Sequence, residues 1–175
     1  MATKNIAIGN AQLRFRNFSG KEGKYNAKGK RNFCVLLDDK LARHMADEGW
    51  NIKYLKPREE GDIPQAYIQV SVGFGYYPPT IFMISSARRY RMDDDDMEIL
   101  DWAEFDNVDL VIRPYNWEVN GVSGTKAYLK KMYCTLAEDE FDKKYENVPL
   151  MGEMDIAGDR VDPSKAEEDD EDLPF

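Results

Sequence analysis

The chain has 175 residues, of which 33 are acidic and 24 are basic, so its net charge at pH 7 is −9. This length suits one domain with a substantial core, and neither a signal peptide nor the ~18 consecutive apolar residues of a membrane-spanning helix can be found, which predicts a soluble, cytoplasmic protein without a membrane partner. One histidine and two widely separated cysteines exclude the usual zinc and redox motifs, so we expect no metal, no cofactor, and buried thiols at Cys34 and Cys134.

The charge is distributed unevenly along the chain. Residues 1–36 contain eight basic residues and one acidic residue, a net charge of +7, whereas residues 153–175 contain ten acidic and two basic residues, a net charge of −8. A protein that is positive at one end and negative at the other is suited to bind a polyanion or to cover its own binding site.

The N-terminal part combines a strand with a basic loop. Residues 6–18 alternate loosely between apolar and polar side chains, as in a half-buried strand, with Arg14 and Arg16 on one face. We expect both arginines to contact a polyanion. Residues 20–31 are rich in glycine and lysine, which predicts a basic loop. The loop residues that we expect to contact a polyanion are Lys24, Tyr25, Lys28, Lys30 and Arg31.

The next segments predict further strands and one helix. Phe33–Leu37 is a short apolar run, as in a strand buried on both faces. Asp38 or Asp39 can cap a helix that Gly49 ends. Tyr67–Phe74 alternates cleanly, so one side of that strand faces the core while the other side can be open.

A strongly acidic segment extends from Asp93 to Asp109, with nine acidic and no basic residues. Its aspartates lack the glycine and the ligand spacing of a calcium loop, which favours a solvated surface. Carboxylates here could hold magnesium for a nuclease. However, the single histidine and the lack of a phosphate-binding loop or of a nucleophile beside a base argue against an enzyme.

The following hairpin carries a face suited to nucleic acid. Val108–Trp117 alternates as a strand, and Asn120-Gly121 is a strong turn signal before the return strand. After Lys130 the apolar phase slips by one residue, which predicts a bulge that bends the strand, as closing a barrel requires. One face interleaves cations with large aromatic rings: Arg113, Tyr115, Trp117, Lys126 and Tyr128.

This order of elements predicts a mainly all-β protein. Five or so strands with one or two short helices suit a five-stranded OB-fold barrel over residues 1–150, followed by a disordered acidic tail at residues 151–175. Cations and exposed rings on one face are what single-stranded nucleic acid requires, because cations neutralise phosphates and rings stack on unpaired bases. For each ring alone, the alternative is that it covers an edge of the core.

The acidic tail ends in an apolar tip. Leu173 and Phe175 have no core to enter, Pro174 stiffens the backbone between them, and a terminal carboxylate can be captured by basic groups on a partner. A bare acidic run can also serve solubility alone. The tip instead favours a docking segment for other proteins, formed by Asp169, Asp170, Glu171, Asp172, Leu173, Pro174 and Phe175.

Three segments resemble a known family and occur in its order. They are Asn26-Ala27-Lys28-Gly29, the run from Leu55 to Pro64, and Val111-Ile112-Arg113-Pro114-Tyr115-Asn116-Trp117 with the hairpin after it. The sequence resembles the OB-fold single-stranded DNA-binding proteins that short-tailed phages encode for their own replication, over about residues 26–136. The Pro-Tyr-x-Trp strand is the most specific segment. The acidic tail, with its Leu-Pro-Phe tip, is separately similar to that of bacterial single-stranded DNA-binding proteins.

The resemblance implies roles for individual residues and partners. It implies that Tyr115 stacks on a base and that Lys28 contacts a phosphate, while the geometry of the hairpin face adds Arg113 and Trp117. It also implies homodimers, and a tail that recruits the replicative DNA polymerase and the helicase-primase. The acidic segment Asp93–Asp109 departs from the family pattern, so we expect no DNA contact there.

The sequence therefore predicts a non-enzymatic protein that coats single-stranded DNA, without sequence specificity, during phage DNA replication, recombination and repair. In the absence of DNA, the tail is expected to lie weakly over the basic face until DNA displaces it. The alternative is an acidic DNA mimic or interaction module that inhibits a host DNA-binding protein. The tail charge of −8 allows this alternative, but the basic N-terminal end and the aromatic hairpin face argue against it.

Overall fold

The computed structural model describes residues 2–24, 26–85, 88–138, 144–145 and 147–148. Residues 1–137 form one compact unit, and residues 138–175 form a second unit of which only short pieces are described. The predicted domain boundary at residues 150 and 151 and the predicted disordered tail both lie outside the described residues.

The compact unit is mainly β, which confirms the predicted fold class. Its described residues form nine strands, one α-helix and one 3-10 helix. The strands are β1 (Ile6–Ile8), β2 (Gln12–Asn17), β3 (Arg31–Leu37), β4 (Lys53–Leu55), β5 (Gln65–Val72), β6 (Thr80–Ser85), β7 (Arg88–Met92), β8 (Phe105–Val119) and β9 (Val122–Leu136). The helices are α1 (Asp39–Glu48) and the acidic 3-10 helix (Asp94–Asp101).

The strands form one curved sheet with the order β1-β8-β9-β5-β3-β2. Strands β5 and β9 are parallel, and the other neighbours in this order are antiparallel. Strands β1 and β2 lie at opposite ends of the order, yet only residues 9–11 separate them in the chain. The chain itself therefore joins the two edges of the sheet, as in the partly open barrel of an OB-fold.

The structure contains more strand segments than the predicted barrel. The predicted first strand is divided into β1 and β2, because Asn10 adopts a φ of 49° and donates its N–H to Asp109 Oδ1 at 2.9 Å. Strand β4 pairs with the start of β5, and β6 lies parallel to β9 beyond the end of β5. Strand β7, formed by the basic run Arg88–Met92, pairs with β6.

Alternation along the strands determines which side chains form the core. On β5, Ile68, Val70 and Val72 are buried, as predicted. Phe18 and Phe33 are fully buried and stack with their ring centroids 4.9 Å apart. Burying each such side chain contributes roughly 1.5–3 kcal/mol relative to exposure.

Local signals determine both ends of α1. The Asp38 side chain accepts a hydrogen bond from the N–H of Leu41 at 2.7 Å, and Gly49 ends the helix with a φ of 104°. Ala42 and Met45 face the core, while His44 pairs on the surface with Glu48. The predicted helix, its cap and its terminal glycine are confirmed.

The hairpin and its bulge also match their predictions. Asn120 and Gly121 have φ values of 51° and 79°, which a tight turn of this kind requires. The register between β8 and β9 shifts where Val111 faces Lys131 but Ile112 faces Leu129, which leaves Lys130 as the additional residue. The bulge bends β9 after Lys130, so that the sheet can continue around the core.

The acidic segment and Phe15 differ from the sequence predictions. The acidic segment was predicted to be a solvated surface, and strand alternation did not predict the conformation of Phe15. The acidic 3-10 helix buries Met97 and Leu100, and the Asp101 carboxylate accepts hydrogen bonds from the backbone N–H groups of Phe18 and Ser19. Phe15 has a φ of 52° at a register shift of β2, and its ring is exposed.

The two cysteines are buried and free, as predicted. Burial raises the pKa of the Cys134 thiol to about 12, against a smaller lowering effect of Arg16. The pKa of Cys34 is also raised by burial, with Lys53 acting in the opposite direction. Both thiols are therefore neutral at physiological pH.

Candidate nucleic-acid interface

The outward face of the sheet brings the predicted hairpin residues together. Across β8 and β9, Arg113 faces Tyr128, Tyr115 faces Lys126, and Trp117 faces Gly124. Side chains on alternate residues of a strand point to the same side, so these three cross-strand pairs share one face. The same face continues onto β5 and β3, where Ser71 pairs with Tyr128 and Asn32 pairs with Ser71.

Tyr128 lies at the centre of an aromatic and cationic cluster. The Arg113 Cζ lies 4.9 Å from the centroid of its ring, and the Lys126 Nζ lies 5.3 Å from it. The ring of Tyr115 meets that of Tyr128 edge-on at 5.8 Å. Tyr115 is nevertheless 52% exposed, so its ring is accessible to a planar partner.

Trp117 lies flat across the neighbouring strand because residue 124 is glycine. A Cβ on Gly124 would lie 2.7 Å from Cζ2 and 2.9 Å from Cε2 of the indole, closer than any real side-chain contact. The indole therefore occupies the space that a side chain at position 124 would fill, and it remains 37% exposed. Gly124 thus positions Trp117, which the sequence did not indicate.

A polar network on the inner side of the hairpin fixes this end of β8. Asn116 donates from Nδ2 to the carbonyl oxygen of Ala2 at 2.9 Å and accepts from the Thr125 hydroxyl at 2.7 Å. Thr125 is buried, and buried polar groups of this kind need such partners. The network ties the start of the chain to the strand pair that carries Tyr115 and Trp117.

The basic loop is organised around Asn26. Its Nδ2 donates to the carbonyl oxygens of Lys21 at 2.9 Å and Lys30 at 2.9 Å, and its Oδ1 accepts from Nδ2 of Asn32 at 2.8 Å. The N–H of Gly29 donates to the carbonyl oxygen of Gly20 at 2.8 Å, which closes the base of the loop. These bonds give the loop a defined shape and hold its lysines near β3.

The loop and the hairpin face line one groove of about 630 Å³. Residues 26–27 and 29–32, from the basic loop and the start of β3, form one side of it. Strand β5 forms its floor, and Trp117, Lys126 and Tyr128 form the other side. The described lining residues include four cations and no acidic side chain; the cations are Lys30, Arg31, Lys53 and Lys126. Lys53 was not among the predicted site residues.

The segment between β5 and β6 adds aromatic rings beside this groove. Tyr77 packs with its ring centroid 5.3 Å from Arg113 Cζ, and Phe74 packs 5.0 Å from Arg31 Cζ. Tyr76 is 94% exposed. Tyr76 and Tyr77 were not among the predicted site residues, although two adjacent tyrosines in the run Gly75-Tyr76-Tyr77-Pro78-Pro79 were a signal for exposed rings in a turn.

Comparison with known proteins decides the family. A family model described as "Putative phage ssDNA-binding domain" matches residues 1–173. The chain belongs to this family of phage ssDNA-binding domains. No curated protein sequence matches the chain.

Solved structures show the same fold. The chain is similar to the single-stranded DNA-binding protein from bacteriophage Enc34 in complex with ssDNA, with 13% identity and a TM-score of 0.53 over 78% of this chain and 89% of that one. It is also similar to a C-terminal truncation of the Enc34 protein, with 14% identity and a TM-score of 0.50 over 77% of this chain and 87% of that one. These likenesses establish the fold of this phage ssDNA-binding domain.

Not every predicted site residue lines the groove. Arg113 and Tyr115 lie beside it, where both pack against the ring of Tyr128. Lys24 and Lys28 lie exposed on the basic loop, Arg14 lies exposed on the outward face of β2, and Tyr25 lies outside the described residues. Arg16 has a different position. Its Nη1 donates to the carbonyl oxygens of Leu100 and Ala103, at the end of the acidic 3-10 helix.

Arg16 therefore stabilises the fold of this phage ssDNA-binding domain, and we leave it out of the candidate interface. Alternation in the sequence grouped Arg16 with Arg14, but the register shift of β2 between them separates the two side chains. The predicted docking residues 169–175 lie outside the described residues.

The acidic segment lies beside the basic loop. Arg31 Nη1 donates to the carbonyl oxygen of Asp94 at 3.0 Å, and Lys21 Nζ lies 3.9 Å from Glu98 Oε1. Within the described residues, no cluster of carboxylates, cysteines or histidines could hold a metal ion. In that same part of the chain, no helix has the length and hydropathy needed to cross a membrane.

Proposed function

We propose that the groove binds single-stranded DNA without sequence specificity. The observation that carries this proposal is that the basic loop and the aromatic hairpin face, which lie far apart in sequence, line one groove with four cations and no acidic side chain among its described residues. Two structures similar to this chain are single-stranded DNA-binding proteins, and one is a complex with ssDNA.

The groove can supply both kinds of interaction that a single strand needs. Cations near its walls neutralise phosphates, and four such contacts would give log K a slope of about −3 against log[salt], at ~−0.7 per phosphate. Trp117 and Tyr128 in the groove, and Tyr115 beside it, offer rings for stacking. Such stacking is worth about 1–3 kcal/mol per base with little dependence on sequence. In duplex DNA the base faces are hidden, so the rings would contribute little.

Fluorescence titration tests this proposal directly. Of the three tryptophans, Trp50 is buried, Trp102 is exposed on the acidic segment, and Trp117 lies at the groove. In a Trp102→Phe background, oligo-dT should quench emission from Trp117, and duplex of equal length should bind weakly. Tyr115→Ala and Trp117→Ala should each weaken oligo-dT binding by roughly 5- to 150-fold, which corresponds to one lost stack.

Trp102→Ala is the matched control, because Trp102 is an aromatic residue that is 67% exposed outside the groove. It should leave oligo-dT affinity unchanged. Equal losses in Trp102→Ala and Trp117→Ala would mean that the groove is not the binding site. If the wild-type protein bound neither single strand nor duplex at low salt, the acidic DNA-mimic function would become the better proposal.

The acidic tail extends this proposal to partners. The protein would coat exposed strands during phage DNA replication, recombination and repair, and its tail, with a charge of −8, would recruit the replicative DNA polymerase and the helicase-primase. The opposite charges of tail and groove support a weak competition between tail and DNA. A truncation after residue 152 should then bind oligo-dT more tightly than the full chain at low salt, with the difference fading as salt screens it. Equal affinity at low salt would rule out the competition.

We also infer a homodimer, which would place two grooves in one particle. Sedimentation of the full-length protein with and without oligo-dT would measure the oligomer, and a monomer in both states would contradict the homodimer that the family resemblance implies.

A further inference from the structure

A second cluster of rings and cations lies further along β9, beyond the bulge. Phe82 on β6 stacks on Tyr133 of β9, with ring centroids 5.2 Å apart and planes inclined by 16°. Arg89 of β7 places its Cζ 4.6 Å from the ring of Phe82, and Lys131 places its Nζ 5.1 Å from the ring of Tyr133. Each ring of the pair thus has a cation beside it, on adjacent strands.

This cluster lies on the outward face and not in the core. Met132 and Cys134 of β9 are fully buried, so the residues that alternate with them, Lys131 and Tyr133, point outward. Phe82 pairs with Tyr133 across the ladder and therefore shares that side. Arg89 is exposed, and the two rings are partly exposed.

The bulge at Lys130 connects this cluster with the groove. It adds one residue to β9, which keeps Tyr128 before it and Tyr133 after it on the same outward side. At ~3.3 Å per residue, the two rings are separated by about 15 Å along the strand. Lys130 and Lys131 lie between them, so cations follow the strand from one set of rings to the other.

A small recess opens beside the second cluster. It has a volume of about 190 Å³, is mostly apolar, and is lined by Lys131 and Tyr133 together with Gly9 and residues of β1 and β8. One of the β8 residues is Asp109, the last residue of the acidic segment, whose two carboxylate oxygens accept hydrogen bonds from the Asn10 N–H and from Asn107 Nδ2. The volume of the recess is several times the ~30 Å³ that one water molecule occupies in the liquid, so it can admit part of a planar ring. An unstacked base next to Tyr133 would therefore find an apolar surface at its edge.

We propose that Phe82, Arg89, Lys131 and Tyr133 form a second subsite for single-stranded DNA, which lengthens the bound strand along β9 beyond the groove. The subsite takes at least one base and its neighbouring phosphates, through ring or guanidinium stacking and the charge of Arg89 and Lys131. The proposal rests on the groove binding single-stranded DNA, and it concerns the length of strand that the domain covers.

A length series of oligo-dT tests the proposal. Oligonucleotides from about 4 to about 16 nucleotides span the usual site sizes of OB-folds. For the wild-type protein, affinity should continue to rise after the groove is filled. In the double variant R89A/K131A, the rise should stop at the shorter length, and the slope of log K against log[salt] should become shallower by about 1.4 for long oligonucleotides only.

Tyr133→Leu separates stacking from charge, because leucine can still pack against Phe82 but offers no flat ring. It should weaken binding of long oligonucleotides while leaving short ones unaffected. Arg43→Ala is the charge control, since Arg43 is exposed on α1, and it should match the wild type at every length. Near-UV circular dichroism and thermal melting of each variant show whether the fold is retained.

The outcomes separate this inference from the groove proposal. Binding of short oligonucleotides with variants that match the wild type at every length would overturn the second subsite and leave the groove intact. In that case the β7 arginines serve only to protect a sheet edge from pairing with other chains. Failure of the wild-type protein to bind any length would instead overturn the groove. A variant that loses affinity for the shortest oligonucleotides as well would place these residues in the groove's own site.

Discussion

Gly124→Ala removes no functional group, yet it should impair DNA binding through Trp117. The added methyl group would lie 2.7 Å from Cζ2 of the indole, whereas favourable carbon contacts lie at about 3.5–4.0 Å. The ring must therefore shift by about 1 Å or rotate away from the strand. Loss of one base stack costs about 1–3 kcal/mol, so the affinity for oligo-dT should fall by roughly 5- to 150-fold.

The stability of the variant should change little, because Trp117 lies at the surface and can move into solvent. We expect less than about 1 kcal/mol of destabilisation, which thermal unfolding can measure. Fluorescence anisotropy of labelled oligo-dT gives the affinity without relying on tryptophan emission. Ser123→Ala, on the neighbouring residue of β9, is the matched control and should bind like the wild type.

A double-mutant cycle shows whether the effect acts through the indole. In a Trp117→Ala background, Gly124→Ala should cause no further loss of affinity, because the ring that it displaces is already missing. If Gly124→Ala weakened binding equally in both backgrounds, or left the wild-type affinity unchanged, then the role that we assign to the indole would be wrong.

Three further predictions concern the loop, the tyrosine turn and a thiol. Asn26→Ala removes hydrogen bonds to three backbone carbonyls and to Asn32, so it should cost about 1–3 kcal/mol in unfolding experiments and also weaken DNA binding. Tyr76→Ala should weaken oligo-dT binding without changing the melting temperature, because the ring is 94% exposed; a drop in both would mean that the ring packs in the fold. Cys134, with a pKa raised to about 12, should not react with Ellman's reagent at pH 8 unless guanidinium is added. The Cys134 thiol ionises at a lower pH in the unfolded chain than in the folded protein, so the free energy of unfolding should fall as pH rises from about 9 towards 12. A flat profile would show that burial does not perturb this thiol.

Short-range signals predicted most of the local structure. Asp38 and Gly49 delimit α1, Asn120-Gly121 makes the hairpin turn, and the phase slip after Lys130 marks the bulge. Each of these depends on residues within a few positions of one another, so the sequence alone carries the information. The hairpin face followed from the same alternation, because cross-strand partners are determined once the turn is known.

Long-range contacts could not be predicted in this way. Arg16 was assigned to the interface by alternation, but it donates to the carbonyl oxygens of Leu100 and Ala103, which follow it by 84 and 87 residues. The hydrogen bond from the backbone N–H of Phe18 to the Asp101 carboxylate joins residues that are similarly distant in sequence. Such contacts depend on how the sheet curves, and sequence periodicity carries no information on that.

For the groove, most of the lining residues that bear charge or rings were predicted, but their arrangement was not. Lys30, Arg31 and the hairpin residues were all predicted to bind DNA. Their meeting across β5, and the packing of Tyr77 on Arg113, follow from the sheet order and not from any local motif. Lys53 was missed for the same reason, because β4 reaches the groove only through its pairing with β5.

The central claim is that binding requires exposed bases as well as phosphates. It is tested most directly by comparing three ligands of equal length at one salt concentration: oligo-dT, the same backbone with abasic sites, and duplex. We predict that oligo-dT binds at least about 10-fold more tightly than the abasic strand, because the abasic strand keeps the phosphates but cannot stack on Tyr115, Trp117 or Tyr128. Equal affinity for oligo-dT and the abasic strand would show that charge alone drives binding and would contradict the role of the aromatic face.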